Sequence, residues 1–142
     1  MFICLENVNF TYNLHMPFET KALKDISLNI NEGEFIGLIG HTGCGKTTLI
    51  QHFNGLLEPT SGKVYVEGLD INERGVNLRL IRQKVGLVFQ YPENQLFEET
   101  IFQEVAFGPK KLSLSEDKIE KRVREALKMV DLDYNLYAER SP

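Results

Sequence analysis

Between Leu38 and Gln51 the chain reads LIGHTGCGKTTLIQ, with glycines at Gly40, Gly43 and Gly45, then Lys46, Thr47 and Thr48. An apolar run enters this stretch and an apolar-periodic run leaves it. Clustered glycines extend neither a strand nor a helix cheaply, because glycine loses the most backbone freedom on ordering. The chain must therefore curl here, and the residues that follow must start a helix. Gly40, Gly45, Lys46 and Thr47 match the pattern G-x-x-x-x-G-K-[ST].

That spacing has a chemical reading. A triphosphate needs many donors in a small volume, and main-chain N–H groups are compact enough to supply them when a loop curls round an anion. Gly40, Gly43 and Gly45 permit the curl, and the helix that follows adds its unpaired first-turn N–H groups. Lys46 reaches the β- and γ-phosphates as a point charge. The Thr47 hydroxyl is a magnesium ligand, and Thr48 offers a further hydrogen bond to phosphate. His41, Thr42 and Cys44 contribute loop backbone, with the side chains of His41 and Cys44 expected to point away. The triplet Gly37, Gly40 and Gly43 is not a dinucleotide fingerprint, because a lysine–threonine pair follows it. The expected cofactors are ATP and Mg2+. The loop alone also fits small kinases or GTPases.

The rest of the chain places the loop. FICLENVNFTY and LKDISLNI read as strands, and Asn13 to Ala22 as a loop between them. Phe35 to Ile39 and KVGLVF, ending at Gln90, are short apolar runs that predict buried strands. Lys46 to Asn54 reads as a helix stopped by Gly55. KVYVEG is another strand, and Val76 to Arg82 is weakly helical. Thr100 to Phe107 predicts a short helix closed by Gly108–Pro109. Glu116 to Val130 predicts a longer one, with Ile119, Val123, Leu127 and Val130 on one face and Ser113 or Ser115 as its cap. Strands first, then strand–helix units, then helices predict an α/β core with a β-rich flank and a helical appendage.

Hydrophobic residues make up 42% and charged residues 25%, as in a globular chain. The net charge of −4 argues against nucleic acid as a main partner. Cys4 and Cys44 are scattered and suggest a reducing compartment. The N-terminus lacks the pattern of a signal peptide, and no segment reaches the roughly 18–20 apolar residues of a membrane helix.

With these residues in order, the chain resembles the ATP-binding cassette family. Tyr12, in VNFTY, falls where cassettes carry the aromatic that stacks on adenine. LKDISLNINEGEFIGLIG is similar to the family's approach to the loop, and LEPTSGKVYVEGLDI to the segment after its first helix. VGLVFQ is similar to the strand ending in the Q-loop glutamine, here Gln90. The resemblance implies a P-loop NTPase core of ABC type with an antiparallel β flank, about residues 1–90. The Q-loop and the start of a helical subdomain follow, about 91–142. It gives Lys46 and Gln90 catalytic roles, places Thr47 and Gln90 at the metal, and puts Tyr12 with the Gly40–Thr48 residues on the nucleotide.

FQYPENQLFEETIFQEVAFGP is similar to the ATPase subunits of energy-coupling-factor transporters, which import vitamins or metal ions. That likeness implies a second ABC ATPase subunit, identical or paralogous, a transmembrane coupling subunit and a substrate-binding membrane subunit. The location implied is peripheral, on the cytoplasmic side of the cell membrane. Phe97, Phe102 and Phe107 are candidate apolar contacts for the coupling subunit, and Glu98, Glu99 and Glu104 are expected on a solvated face. The resemblance covers about the first half of a cassette. The signature motif, the second acidic strand with its aspartate and catalytic glutamate, and the switch histidine have no counterparts here. The expectation is a fragment that binds MgATP and does not hydrolyse it alone, belonging to a full-length transport ATPase. The alternative is a non-hydrolysing nucleotide-binding or assembly module.

Overall fold

A computed structural model describes all 142 residues, which divide into two compact units, Met1–Val88 and Phe89–Pro142. In the first unit, β1 (Ile3–Tyr12) and β2 (Thr20–Ile30) form a long antiparallel hairpin. The helix α1 (Lys46–His52) follows, then β3 (Ser61–Val66), the short β4 (Leu69–Asp70) and α2 (Leu78–Lys84). The four strands lie in the order β2-β1-β3-β4, and every pairing is antiparallel.

Strand β1 is central because its β-branched and aromatic residues suit a pleated surface paired on both edges. Leu5 lies opposite Leu28 on one side and Val64 on the other. The register slips between Leu5 and Val8, where Asn7 takes φ 49°. The Asn7 side chain donates to the Asp25 carboxylate at 2.8 Å, and the Asp25 N–H donates to the Asn9 side chain at 3.0 Å, so the bulge is held by its own polar groups. Leu5, Val8, Val64 and Val66 are buried with Leu23, Leu49, Ile71 and Ile81, which makes the sheet, α1 and α2 share one core. Arg82 of α2 donates to the carbonyls of Asn54 and Gly55 just beyond α1, and Gly55 has φ 67° there.

The second unit contains a 3-10 turn (Pro92–Gln95), α3 (Ile101–Lys111), α4 (Glu116–Met129) and α5 (Tyr134–Tyr137). Ala106, Ile119, Val123 and Leu127 form its core. Ile119, Val123 and Leu127 face inward as their spacing predicts, but Val130 is exposed. Ser115 precedes α4 without a side-chain cap bond. The helix α3 does not stop at Gly108–Pro109 and runs on to Lys111. Pro109 removes one N–H from the ladder, but Gly108 before it has no Cβ to collide with the prolyl ring, and Lys110 and Lys111 suit a helix C-terminus. Asp133 caps α5 by accepting from the N–H groups of Asn135 and Leu136.

Two expected buried strands are absent. Phe35–Ile39 and Val85–Gln90 lie in no ladder; Phe35 is fully exposed, Ile39 is 95% exposed and Val88 82%. Their composition is that of interior strands, but a strand exists only by exchanging main-chain bonds with a neighbour. The four strands of the sheet pair among themselves, and neither run joins an outer edge of that sheet, β2 or β4. Main-chain bonding is thus satisfied in β1 and open to water in the two runs. Hydrogen exchange read residue by residue should find Phe35–Ile39 and Gly86–Val88 exchanging at nearly unprotected rates and Ile3–Leu5 slowest in the unit. Protection of the two runs equal to that of β1 would contradict this arrangement.

Candidate functional site

The glycine-rich loop leaves the exposed run at Gly40 and enters α1 at Lys46. The Cys44 N–H reaches the His41 carbonyl at 3.4 Å, and Gly43 and Gly45 have φ 83° and 92°. These two values lie in the left-handed region, where a Cβ costs about 1–2 kcal/mol. Gly45 has a second reason to be glycine: a Cβ there would stand 2.7 Å from the Ala22 carbonyl oxygen of β2. The helix therefore begins in direct contact with the sheet, and its N-cap carries no side-chain bond.

The Lys46 ammonium donates to the carbonyls of Gly40 and His41, each at 2.7 Å, and lies 3.5 Å from the Cys44 sulfur. A lysine held by exposed main-chain oxygens and a weakly accepting thiol can exchange them for an anion at small cost, since both arrangements satisfy the same donors. The Cys44 thiol thus faces the lysine instead of pointing away as expected. His41 turns its Nδ1 to the Thr42 carbonyl at 2.9 Å. Thr42 and Thr47 are exposed. Donors, a cation and a hydroxyl on an open curl fit a phosphate with its metal.

Thr48 is buried and its hydroxyl lies 3.0 Å from the Tyr12 hydroxyl, so β1 meets α1 through two side chains 36 residues apart. The Tyr12 ring is 37% exposed. Gln90 is exposed and belongs to the second unit. In that unit Phe97 packs edge-on against Phe107 with centroids 5.0 Å apart, and Phe102 stands against Tyr134 at 6.3 Å. Glu104 is not merely on a solvated face. Its carboxylate accepts from the N–H groups of Phe97 and Glu98 at 3.1 and 2.9 Å, fixing the segment before α3.

One residue beside the loop escaped the sequence reading. His52 is completely buried, its Nδ1 lies 2.7 Å from the Thr48 carbonyl, and its ring stands edge-on to Phe10 at 4.9 Å. A carbonyl only accepts, so Nδ1 carries the proton and Nε2 is bare; Nε2 has no partner. Burial pushes the His52 pKa below its ordinary 6.5, while the Thr48 bond pulls weakly the other way. The signal in the sequence was a histidine four positions after Thr48, on the inward face of an otherwise apolar helix.

Two outcomes follow from this geometry. Gly45→Ala should cost about 2 kcal/mol or more in urea unfolding, because strain and a main-chain collision coincide. Gly43→Ala, which meets no atom within 4 Å, should cost about 1 kcal/mol. For His52, the folded chain binds its proton less readily than the unfolded chain. Stability should therefore fall as pH drops from about 6.5 to the lower folded value, and this component should then level off. His52→Leu should lack that part of the pH dependence. An unchanged profile in the variant would remove His52 as its source.

The family model described as "ABC transporter" matches residues 23–141. Over all 142 residues the chain is 56% identical to the energy-coupling factor transporter ATP-binding protein EcfA2 of Clostridium tetani, covering 49% of it. It is 54% identical to the EcfA2 of Clostridium perfringens, covering 50%. The chain thus spans about half the length of the curated relatives it matches. Among solved structures it superposes on cbiO1 from Clostridium perfringens, described as part of the ABC transporter complex cbiONQ. The TM-score is 0.80 at 38% identity, over 97% of this chain and 53% of that one. A dimeric ATP-binding cassette, MJ0796, bound to ADP and Pi, gives a TM-score of 0.82 at 32% identity, over 99% and 61%. The family match over most of the sequence, with cassettes as structural neighbours, means that this chain belongs to the ABC transporter family and shares the fold of its ATPase domain.

Proposed function

We propose that this chain is the MgATP-binding part of an energy-coupling-factor importer ATPase. The observation that carries the reading is the curled Gly40–Thr48 loop, which turns Lys46 inward, in a chain more than half identical to EcfA2 proteins over its whole length. In this reading the main chain from Gly40 to Thr48 holds the phosphates, including the N–H groups of His41, Thr42 and Cys44. Lys46 supplies the point charge and Tyr12 offers its ring to the adenine. Thr47 would hold a magnesium ion through its hydroxyl, and the family resemblance assigns Gln90 to the same metal. Magnesium bound there would supply neutralisation of phosphate charge.

Hydrolysis requires more than a cradle. It needs an oriented water and a base, and in the family the site closes between two subunits. We assign turnover to the longer protein, working with a second ATPase subunit, identical or paralogous. A transmembrane coupling subunit and a substrate-binding subunit would convert dimer closure into uptake of a vitamin or metal ion. The exposed runs Phe35–Ile39 and Val85–Gln90 would find strand partners in that longer protein. The ATPase would sit on the cytoplasmic face of the membrane, and no helix here is long and apolar enough to cross it.

Lys46→Ala tests the cradle. Loss of charge-assisted bonds to phosphate should weaken MgATP binding by about tenfold or more in calorimetric titration. The melting midpoint should barely move, since the lysine bonds only exposed groups, two carbonyls and the Cys44 thiol. Unchanged affinity would overturn the assignment.

A further inference from the structure

We infer that the Tyr12 hydroxyl is a positioning group for Thr48, a role separate from any stacking by its ring and resting on the phosphate-loop reading above. Thr48 is held at two points. Its hydroxyl lies 3.0 Å from the Tyr12 hydroxyl, and its carbonyl accepts from His52 Nδ1 at 2.7 Å. Phe10 stands edge-on to both holders, 4.8 Å from the Tyr12 ring and 4.9 Å from the His52 ring. Tyr12, Thr48, His52 and Phe10 therefore form a closed circuit of contacts that links the end of β1 to α1.

A threonine in a helix divides its hydroxyl between two rotamers, one of which turns back onto a carbonyl three or four residues earlier. The bond to Tyr12 fixes which rotamer Thr48 uses, and burial at 7% exposure leaves water little part in the choice. Proton counting then gives the pair a direction. Each hydroxyl has one proton to give and can accept. An anion can only accept, so a phosphate bound by Thr48 takes the Thr48 proton. The bond between the two hydroxyls must then be donated by Tyr12. The phenol, the stronger acid of the two, is suited to that end of the pair. Tyr12 thereby holds Thr48 in the rotamer and polarity that an anionic ligand requires.

The test separates ring from hydroxyl and base from phosphate. ATP and inorganic tripolyphosphate, each with magnesium, are titrated against wild type, Tyr12→Phe, Thr48→Val, Thr48→Ser, the double variants Tyr12→Phe/Thr48→Val and Tyr12→Phe/Thr48→Ser, and Lys46→Ala. Melting midpoints are followed in parallel. Phenylalanine keeps the ring, so a pure stacking role leaves both affinities unchanged. The inference requires Tyr12→Phe to weaken ATP and tripolyphosphate by the same factor, about threefold to tenfold. Thr48→Val should lose at least as much, and Tyr12→Phe should cost nothing further in that background. Thr48→Ser should keep both the affinity and its dependence on Tyr12, which also covers the case of Thr48→Val failing to fold. Tripolyphosphate binding untouched by Tyr12→Phe, or additive losses in the Tyr12→Phe/Thr48→Val variant, overturns the Tyr12 role alone. Binding indifferent to Lys46→Ala overturns the phosphate-loop reading and this inference with it.

Discussion

Main-chain hydrogen bonds must be paired wherever water is excluded, and in the first unit that requirement is met through β1. It pairs with β2 along one edge and with β3 along the other, so its polar backbone is consumed and its side chains are free to build a core. Everything near the glycine-rich loop refers back to this strand. Phe10 and Tyr12 lie at its end, and its partner β2 presents the Ala22 carbonyl against which Gly45 is packed. A change that loosened β1 would move the loop's supports before it touched the loop itself.

The loop is thus shaped by two kinds of constraint. Its curl is local, since left-handed dihedrals at Gly43 and Gly45 and the turn bond from Cys44 to His41 need nothing distant. Its placement is not local. The start of α1 is set by the close approach to β2, its first turn by the Tyr12–Thr48 bond, and its far end by the Arg82 guanidinium on the carbonyls of Asn54 and Gly55. Motif spacing specifies the first kind, whereas the second depends on strands and helices tens of residues away.

That division explains what could be read from sequence. The β1 and β2 strands, β3, α1 and the inward face of α4 were legible because their side chains follow a period of two or near 3.6 and bury one face. The loop was legible because its glycines have a local cause. The two apolar runs misled because composition reports a preference for burial and says nothing about an available partner edge. Pro109 misled because glycine in front of it relaxes the clash that normally ends a helix. The Tyr12–Thr48 bond and the Glu104 grip on Phe97 and Glu98 had no sequence signal, since they join residues whose proximity only the fold creates. His52 went unread although it is a polar residue on an apolar helical face, and the structure shows it buried with an unpartnered nitrogen.

A glycine-rich loop between an apolar run and a helix is expected to depend on the run that leads into it. Here Phe35–Ile39 has no ladder, yet the loop after it is curled and its lysine turned inward. The anchors on the far side account for this. The loop is fixed where it enters α1, by contacts to β1 and β2, and the incoming run contributes chain direction but no hydrogen bonds. Order in the cradle therefore flows from the antiparallel sheet through α1 to the glycines. The antiparallel flank is the part of this unit that positions the loop, through the Ala22 carbonyl against Gly45 and the Tyr12 hydroxyl on Thr48.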